Sequence, residues 1–598
     1  MLWFTAVNIP KFLSHHVLSE KAPRRASSLM RAVGAGILIA AVAVFLAPAI
    51  TAQINSLAAP LVGEHDWRQS DTYSVAYNFV HERFDVFHPR IDWAKGRSGV
   101  MGMEFPFLQA VAAPFMFLFG DAPSTSRILI FALFVVSLAL AARHLREPKQ
   151  WLIGVGYIVA AFLSPMALYE FRQVQPDPVA ASMLALSACA FVRYREVGTR
   201  GSYIWGLAAF TAATLVKSPS IGIAPAMWLF AVMGRPVTLP SFVRTTIPFL
   251  IPALLLAGWL AWGSHLNAYY NGGEVYFGTH IALEDIRNDL RDAGLMRRFF
   301  WNLLPAYVVN WTLMPAWLCG VVLSITPRHR NIGVPMLVWA VLGGLFCGGV
   351  GRRMYWHWYY AMVMVIPMLY FCALAIGTTL KMVLRCRGAA SRPELWVTCV
   401  TCSSLALSRY LGGGPREGGS VTGADLGHGQ WLTWCTEFGF FLWLVLVVTS
   451  LMLTQLPTRI VRLACITLFG FALAVGMPRA RHDALEAFQW RARVSQWDAY
   501  KKELRSLRQT ADRYSTRADK FVVSAMVNPT FLYRVLRKGW VEDPGTVRSH
   551  LAEYQKQGAH FLLHFHGFGE SPMPDAIPLH RTSDWSLYCL KPTGCLPR

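Results

Sequence analysis

The sequence predicts a polytopic α-helical membrane protein ending in a small soluble α/β domain, and three observations carry that prediction. Of 598 residues, 54% are hydrophobic and only 15% charged, where a soluble chain carries about a quarter charged residues. Apolar stretches near the ~20 residues that a membrane helix requires recur from residue 33 to residue 477. Beyond about residue 480 the chain becomes polar, with mixed charge and strand-like runs.

In order, the apolar stretches are 33–52, 127–142, 151–169, 178–192, 203–217, 219–233, 245–262, 304–325, 332–350, 357–380, 394–411, 431–453 and 459–477, which is about thirteen crossings. Residues 1–32 are basic, and 33–52 stays apolar long enough to remain as an anchor instead of a cleaved leader. Basic residues fill alternate gaps: Lys11, Arg24, Arg25 and Arg31; Arg143, Arg146 and Lys149; Arg193, Arg195 and Arg200; Arg235 and Arg244; Arg328 and Arg330; Lys381, Arg385 and Arg387. The positive-inside rule assigns these gaps to the cytoplasm, provided that segment 104–119, short and holding Pro106 and Pro114, does not fully cross. Residues 1–32 are then cytoplasmic, 33–479 form the membrane module, and 480–598 lie outside. The net charge of +22 reads as topology signal and as attraction to anionic membrane lipids; nucleic acid is not an expected partner.

Within the tail, 484–508 alternates at helical spacing, and 521–526 and 558–564 read as strands. Segment 412–429 is Gly-rich and reads as a loop. Of eleven cysteines, all but Cys589 and Cys595 lie in or beside apolar stretches. Those two sit in the polar tail, where an oxidising compartment favours a disulfide between them. Cys399 and Cys402 have CxxC spacing but no second pair, and His560, His564 and His566 have no Cys or carboxylate beside them, so neither set predicts a metal site.

This topology gathers polar clusters on the outer face: the loop 53–126, the turn 172–177, the loop 263–303 and the segment 352–360. Ionisable residues at a membrane boundary are costly and mark functional sites. The first loop reads Asp66-Trp67-Arg68-Gln69-Ser70-Asp71-Thr72, and one of its aspartates suits a general base. Asp71 also suits the N-cap of a short interfacial helix over 72–79. Glu104 reads as an interfacial residue or a second site acid, and Asp177, between two prolines, as a site residue or a helix cap. Arg172, Lys217, Arg352 and Arg353 lie at the outer ends of crossings, where they suit a phosphate at head-group depth or snorkel to the interface. His357-Trp358-Tyr359-Tyr360 sets a histidine in an aromatic belt beside two arginines.

Trp67-Arg68-Gln69-Ser70-Asp71-Thr72, followed by Ala76-Tyr77-Asn78-Phe79, resembles the first-loop motif of bacterial GT-C glycosyltransferases, a group related to the protein O-mannosyltransferases and the lipid A aminoarabinose transferase. Gly102-Met103-Glu104-Phe105-Pro106-Phe107, Phe119-Gly120, Ser126-Arg127, Gln175-Pro176-Asp177, Lys217 and the 357–360 cluster continue the resemblance in order, over roughly residues 30–380. The resemblance implies a GT-C type fold in a bacterial inner membrane, with a periplasmic active site. It implies inverting transfer from a polyprenyl-phosphate-linked sugar to a hydroxyl on a glycan, a lipid or a protein, with no metal or other cofactor. Asp71, inside the matching segment, is then the expected base and Asp66 the alternative, with Asp177 and Glu104 orienting groups at the reacting centre. Arg172, Lys217, Arg352 and Arg353 would meet the donor phosphate, and Arg68, Gln69, His357, Tyr359 and Tyr360 the substrate. Many relatives carry an adjacent Asp-Glu pair in the first loop; here the aspartates stand apart. A polymerase or ligase using a lipid diphosphate shares the compartment and fold class. A transporter or flippase would show paired broken helices in two halves, and the sequence has no such symmetry. A scaffold leaves the carboxylate and cation placement unexplained.

Overall fold

The computed structural model describes residues 22–146, 150–236, 238–272, 283–310, 313–354, 357–384, 477–573, 576–591, 595 and 597. Residues 1–21, the stretches 394–411, 431–453 and nearly all of 459–477, the segment 412–429, and Cys399 with Cys402 lie outside the described residues. The chain divides into two units, 1–51 and 52–598.

The helices are α1 (Ala22–Leu57), α2 (Asp66–His81), α3 (Phe107–Phe119), α4 (Pro123–His144), α5 (Trp151–Leu163), α6 (Pro165–Glu170), α7 (Pro176–Val197), α8 (Arg200–Val216), α9 (Ala224–Val232), α10 (Leu239–Thr246), α11 (Leu250–Asn271), α12 (Leu283–Arg291), α13 (Ala293–Arg297), α14 (Met314–Ser324), α15 (Arg330–Gly349), α16 (Gly351–Met354) and α17 (Met362–Leu384). After them come α18 (Met477–Ala492), α19 (Trp497–Tyr514), α20 (Thr530–Val535) and α21 (Pro544–Lys556). Among the described residues, five stretches are long and apolar enough to cross a bilayer: Ala40–Leu57, Pro123–His144, Leu239–Asn271, Arg330–Gly349 and Trp358–Lys381. Shorter apolar helices cover Phe107–Phe119, Trp151–Leu163 and Ser218–Val232. The protein is a multi-pass helical membrane protein.

Several predicted elements are redrawn by local chemistry. The stretch 151–169 is two helices, because Ser164 caps α6 through the Ala167 N–H and Pro165 occupies its first position. The loop 263–303 is largely helical, since α11 runs on to Asn271 and Asp292 caps α13. The single helix expected over 484–508 is α18 and α19, parted at Arg493, whose φ is 50°. Segment 104–119 holds the short α3, which starts after Pro106. Two features position the site. Helices α7 and α8 form a hairpin turned by Gly198 in the left-handed region, so the start of α7 and the end of α8 lie together. Helix α17 packs against α5 and α14 and is buried along nearly its whole length.

The C-terminal part is a five-stranded sheet, ordered β2 (Gly539–Glu542), β1 (Lys520–Ser524), β3 (Ala559–Phe565), β5 (Trp585–Cys589), β4 (His580–Arg581). β1 is parallel to β2 and β3, and β5 is antiparallel to β3 and β4. The period of two sends Phe521 and Val523 to one face, under Leu507 and Ala511 of α19 and Phe531 of α20. Val522 faces the other way, with Val547 and Tyr554 of α21. Cys589 and Cys595 form a disulfide.

Candidate active site

Helix α2 carries the first-loop motif and is no surface helix: every residue from Arg68 to Phe79 is buried. It starts at Asp66, after His65 in the left-handed region, so Asp71 lies in its second turn and is not an N-cap. Residues three and seven apart share a helix face, which aligns Arg68, Asp71 and Asn78. The Arg68 guanidinium donates to Glu104 at 2.5 Å, and the Asn78 amide donates to Asp92 at 3.0 Å.

Glu104 sits in an extended segment pinned by the helices behind it. The Gly102 N–H donates to Asn267 of α11 at 2.9 Å, Trp259 donates to the Met103 carbonyl at 2.8 Å, and the Phe105 N–H donates to the Leu215 carbonyl of α8 at 3.1 Å. Glycine is required at 102, because a Cβ there would lie 2.0 Å from the Gly263 carbonyl oxygen. The bond to Leu215 puts Glu104 beside the end of α8, where the Lys217 ammonium lies 3.9 Å from it. The α7–α8 hairpin brings Asp177 to the same ammonium, at 3.1 Å.

Over these charges lie the rings of the segment entering α17. The Lys217 ammonium is 4.6 Å from the Tyr360 ring centre and 5.3 Å from that of Tyr359. His65 meets Tyr359 edge-on at 4.7 Å, and Trp67 lies 5.6 Å from His357. Arg68, Glu104, Asp177, Lys217, His357, Tyr359 and Tyr360 thus form one cluster with balanced cations and carboxylates.

Asp71 lies one turn along α2 from Arg68. The residue is 2% exposed, and among the described residues its carboxylate takes no hydrogen bond. Burial pushes its carboxyl up to about 8, against the pull of Arg68 and with a further push from Asp92. Burial would also raise Glu104, but the charges of Arg68 and Lys217 bring it down to about 2. The two cations thus favour the ionised form of Glu104, while burial favours the protonated form of Asp71.

The other predicted residues lie elsewhere. Asp66 starts α2 and accepts from the Trp67 N–H and from Asn528, toward the C-terminal sheet. Gln69 accepts from Arg127 at 3.5 Å. Arg172 is boxed by the rings of Tyr169, Phe488 and Trp497, at 5.1, 4.9 and 6.0 Å. Arg352 is 70% exposed and pairs with Asp289 at 3.1 Å, one residue before Arg353. His566 lies past the end of β3 and meets Ser586, while His564 meets Ser524. Among the described residues no three His, Cys, Asp or Glu side chains converge as metal ligands.

Sequence reasoning missed a second buried network beside the cluster. Arg491 of α18 pairs with Glu64 and lies over the rings of Tyr307 and Trp358, at 3.9 and 4.2 Å. Glu170 accepts from Tyr307 at 2.7 Å and from Gln175 at 2.6 Å. A carboxylate at the end of an apolar stretch was a usable signal for Glu170; nothing in the sequence links Glu64 to Arg491.

No family model matches the chain, and no curated protein matches it. Solved structures do. ArnT from Cupriavidus metallidurans in the apo state superposes with a TM-score of 0.56 at 13% identity, over 93% of this chain and 98% of that one. ArnT from the same organism bound to undecaprenyl phosphate gives 0.50 at 12% identity, over 92% and 97%. The chain has a GT-C fold. Within that GT-C fold, the partly buried cluster lies where the first loop, the α7–α8 hairpin and the entry to α17 meet.

Proposed function

We propose that this chain is an inverting glycosyltransferase, moving a sugar from a polyprenyl-phosphate donor to a hydroxyl acceptor on the periplasmic face of a bacterial inner membrane. The observation that carries the reading is Asp71: a buried carboxyl with a raised proton affinity, one helical turn from Arg68, whose guanidinium pairs with Glu104 and so joins the Glu104–Lys217–Asp177 cluster. The fold shared with a structure named as bound to undecaprenyl phosphate supports a lipid-linked donor.

In the reaction, the acceptor hydroxyl attacks the anomeric carbon and gives its proton to Asp71. The bond from that carbon to the phosphate oxygen breaks, and polyprenyl phosphate leaves with the electron pair. Arg68 and Lys217 stabilise the charge growing on the phosphate, and Glu104 and Asp177 hold both cations in position. Arg352 and Arg353 serve as rim cations, and His357, Tyr359 and Tyr360 line the sugar. Arg172, enclosed by rings, has no share in this scheme. About thirteen crossings with a cytoplasmic N-terminal segment (1–32), a membrane module (33–479) and a periplasmic domain (480–598) complete the layout. The Cys589–Cys595 disulfide supports an oxidising compartment for that domain.

The test is transfer by purified protein from a polyprenyl-monophosphate sugar, with wild type and Asp71→Asn compared. Loss of a base costs about 10²–10⁴-fold in rate, and the variant should still bind the donor. Full turnover by Asp71→Asn, or turnover only with a diphosphate donor, overturns the proposal.

A further inference from the structure

We propose that the seam between the first loop and the C-terminal sheet is a binding cleft for an anionic glycan. Its use as the acceptor subsite rests on the transferase reading; glycan binding itself does not.

The seam is built by backbone pairing. Arg90 and Val100 pair antiparallel, so the chain between them forms a hairpin. Its far end docks on β2, an edge strand whose backbone groups are open to pairing. The Lys95 N–H donates to the Gly539 carbonyl at 3.0 Å, and the Gly539 N–H donates to the Asp92 carbonyl at 3.1 Å. Lys520 donates to the Gly96 carbonyl at 2.7 Å, and Lys538 pairs with Glu82 at 2.6 Å. Lys95 and Gly96 turn the hairpin with φ of 43° and 77°. A side chain at 96 would strike Trp540, its Cβ lying 2.7 Å from that ring.

Past this turn the loop stands off the sheet, leaving a cavity of about 460 Å³, within the range of sites for small ligands. The loop lines it with the cations Lys95 and Arg97; the domain lines it with Glu542, Gln557, Tyr554 and the edge of Trp540. Lys95 lies over the Trp93 ring at 5.4 Å and Arg97 donates to the Asn271 carbonyl, and two cations so held on one wall suit a carboxylate or phosphate. A carboxylate, an amide and a phenol on the other accept from and donate to hydroxyls. A sugar bearing an acidic group presents both. The same hairpin carries Asp92, which accepts from Asn78 of α2 at 3.0 Å, so a chain held in the cleft is anchored to the loop that serves the candidate site.

The test is binding to the full-length protein in detergent, without donor, by calorimetry. The probes are trigalacturonate, neutral maltotriose and inorganic phosphate. Two variants accompany wild type: Lys95→Asn with Arg97→Gln, which removes the charge while Asn tolerates the left-handed backbone, and Gln557→Trp, which fills the cavity from an exposed position. Trigalacturonate should bind wild type at least tenfold more tightly than either other probe, and both variants should lose at least tenfold in affinity with unchanged Tm. No trigalacturonate binding, equal binding of maltotriose or phosphate, or undiminished affinity in the variants overturns the cleft. Transfer activity without trigalacturonate binding would sink the cleft and leave the transferase; binding without transfer from any polyprenyl-phosphate sugar would do the reverse.

Discussion

Asp71 is buried and Glu104 half-buried, both near Arg68, yet their surroundings drive them apart. Glu104 has two cations in reach, while Asp71 shares Arg68 and faces Asp92. As a base, Asp71 works only when ionised, so kcat/KM should rise about tenfold per pH unit and level off above about 8. Asp92→Asn removes a like charge and should move that rise to lower pH; an unmoved profile would mean that Asp92 does not act on Asp71. Glu104→Gln leaves the Arg68 guanidinium buried without its carboxylate, which costs about 3 kcal/mol. A fall in Tm of several degrees in detergent checks it, and an unchanged Tm would show that water or lipid replaces the partner. Glu104, Asp177 and Lys217 stand out in the sequence as ionisable groups at the ends of apolar stretches and 357–360 as a histidine in an aromatic belt, while Arg68 is named through the first-loop resemblance. Their distances were not legible, since they come from segments far apart in the chain.

At the scale of elements, the segment around Glu104 shows how backbone approach sets side-chain position. Gly102→Ala must push α11 away from the loop, and small-to-large changes of this kind cost about 1–3 kcal/mol. Because Asn267 and Trp259 hold the same segment, Glu104 should shift with it, lowering turnover beyond what the loss of Tm explains. Turnover equal to wild type in Gly102→Ala would show that the close contact is dispensable. Helix α2 illustrates the limit of pattern reading. Its residues look amphipathic enough for a membrane surface, yet they are buried on all sides, because α3, α19, α20 and the loop 91–103 cover the faces that water or lipid would otherwise meet. The break between α5 and α6, in contrast, was written in Ser164-Pro165, a capping pair inside an otherwise apolar run.

For the whole molecule, three side-chain contacts tie the C-terminal residues to the first loop. Asn528 reaches Asp66, Lys538 reaches Glu82, and Arg491 reaches Glu64. A reporter fused after Arg598 should read periplasmic. A cytoplasmic reading would overturn the proposed topology and, with it, the compartment in which the Cys589–Cys595 disulfide is kept.

The sequence by itself determined that this is a multi-pass helical protein with a C-terminal α/β domain, because hydropathy and the periods of two and 3.6 residues are local properties. It also singled out Glu104, Asp177 and Lys217, because an ionisable group beside a run of apolar residues is visible without any fold. Only the tertiary structure decided that Asp71 lies inside a buried helix, that Lys217 stands between Asp177 and Glu104, that Arg172 is closed in by rings, and that the tail docks on the first loop through the edge of β2. Each of these depends on which distant segments meet, and that is set by packing and by backbone pairing between elements, which no window along the chain contains.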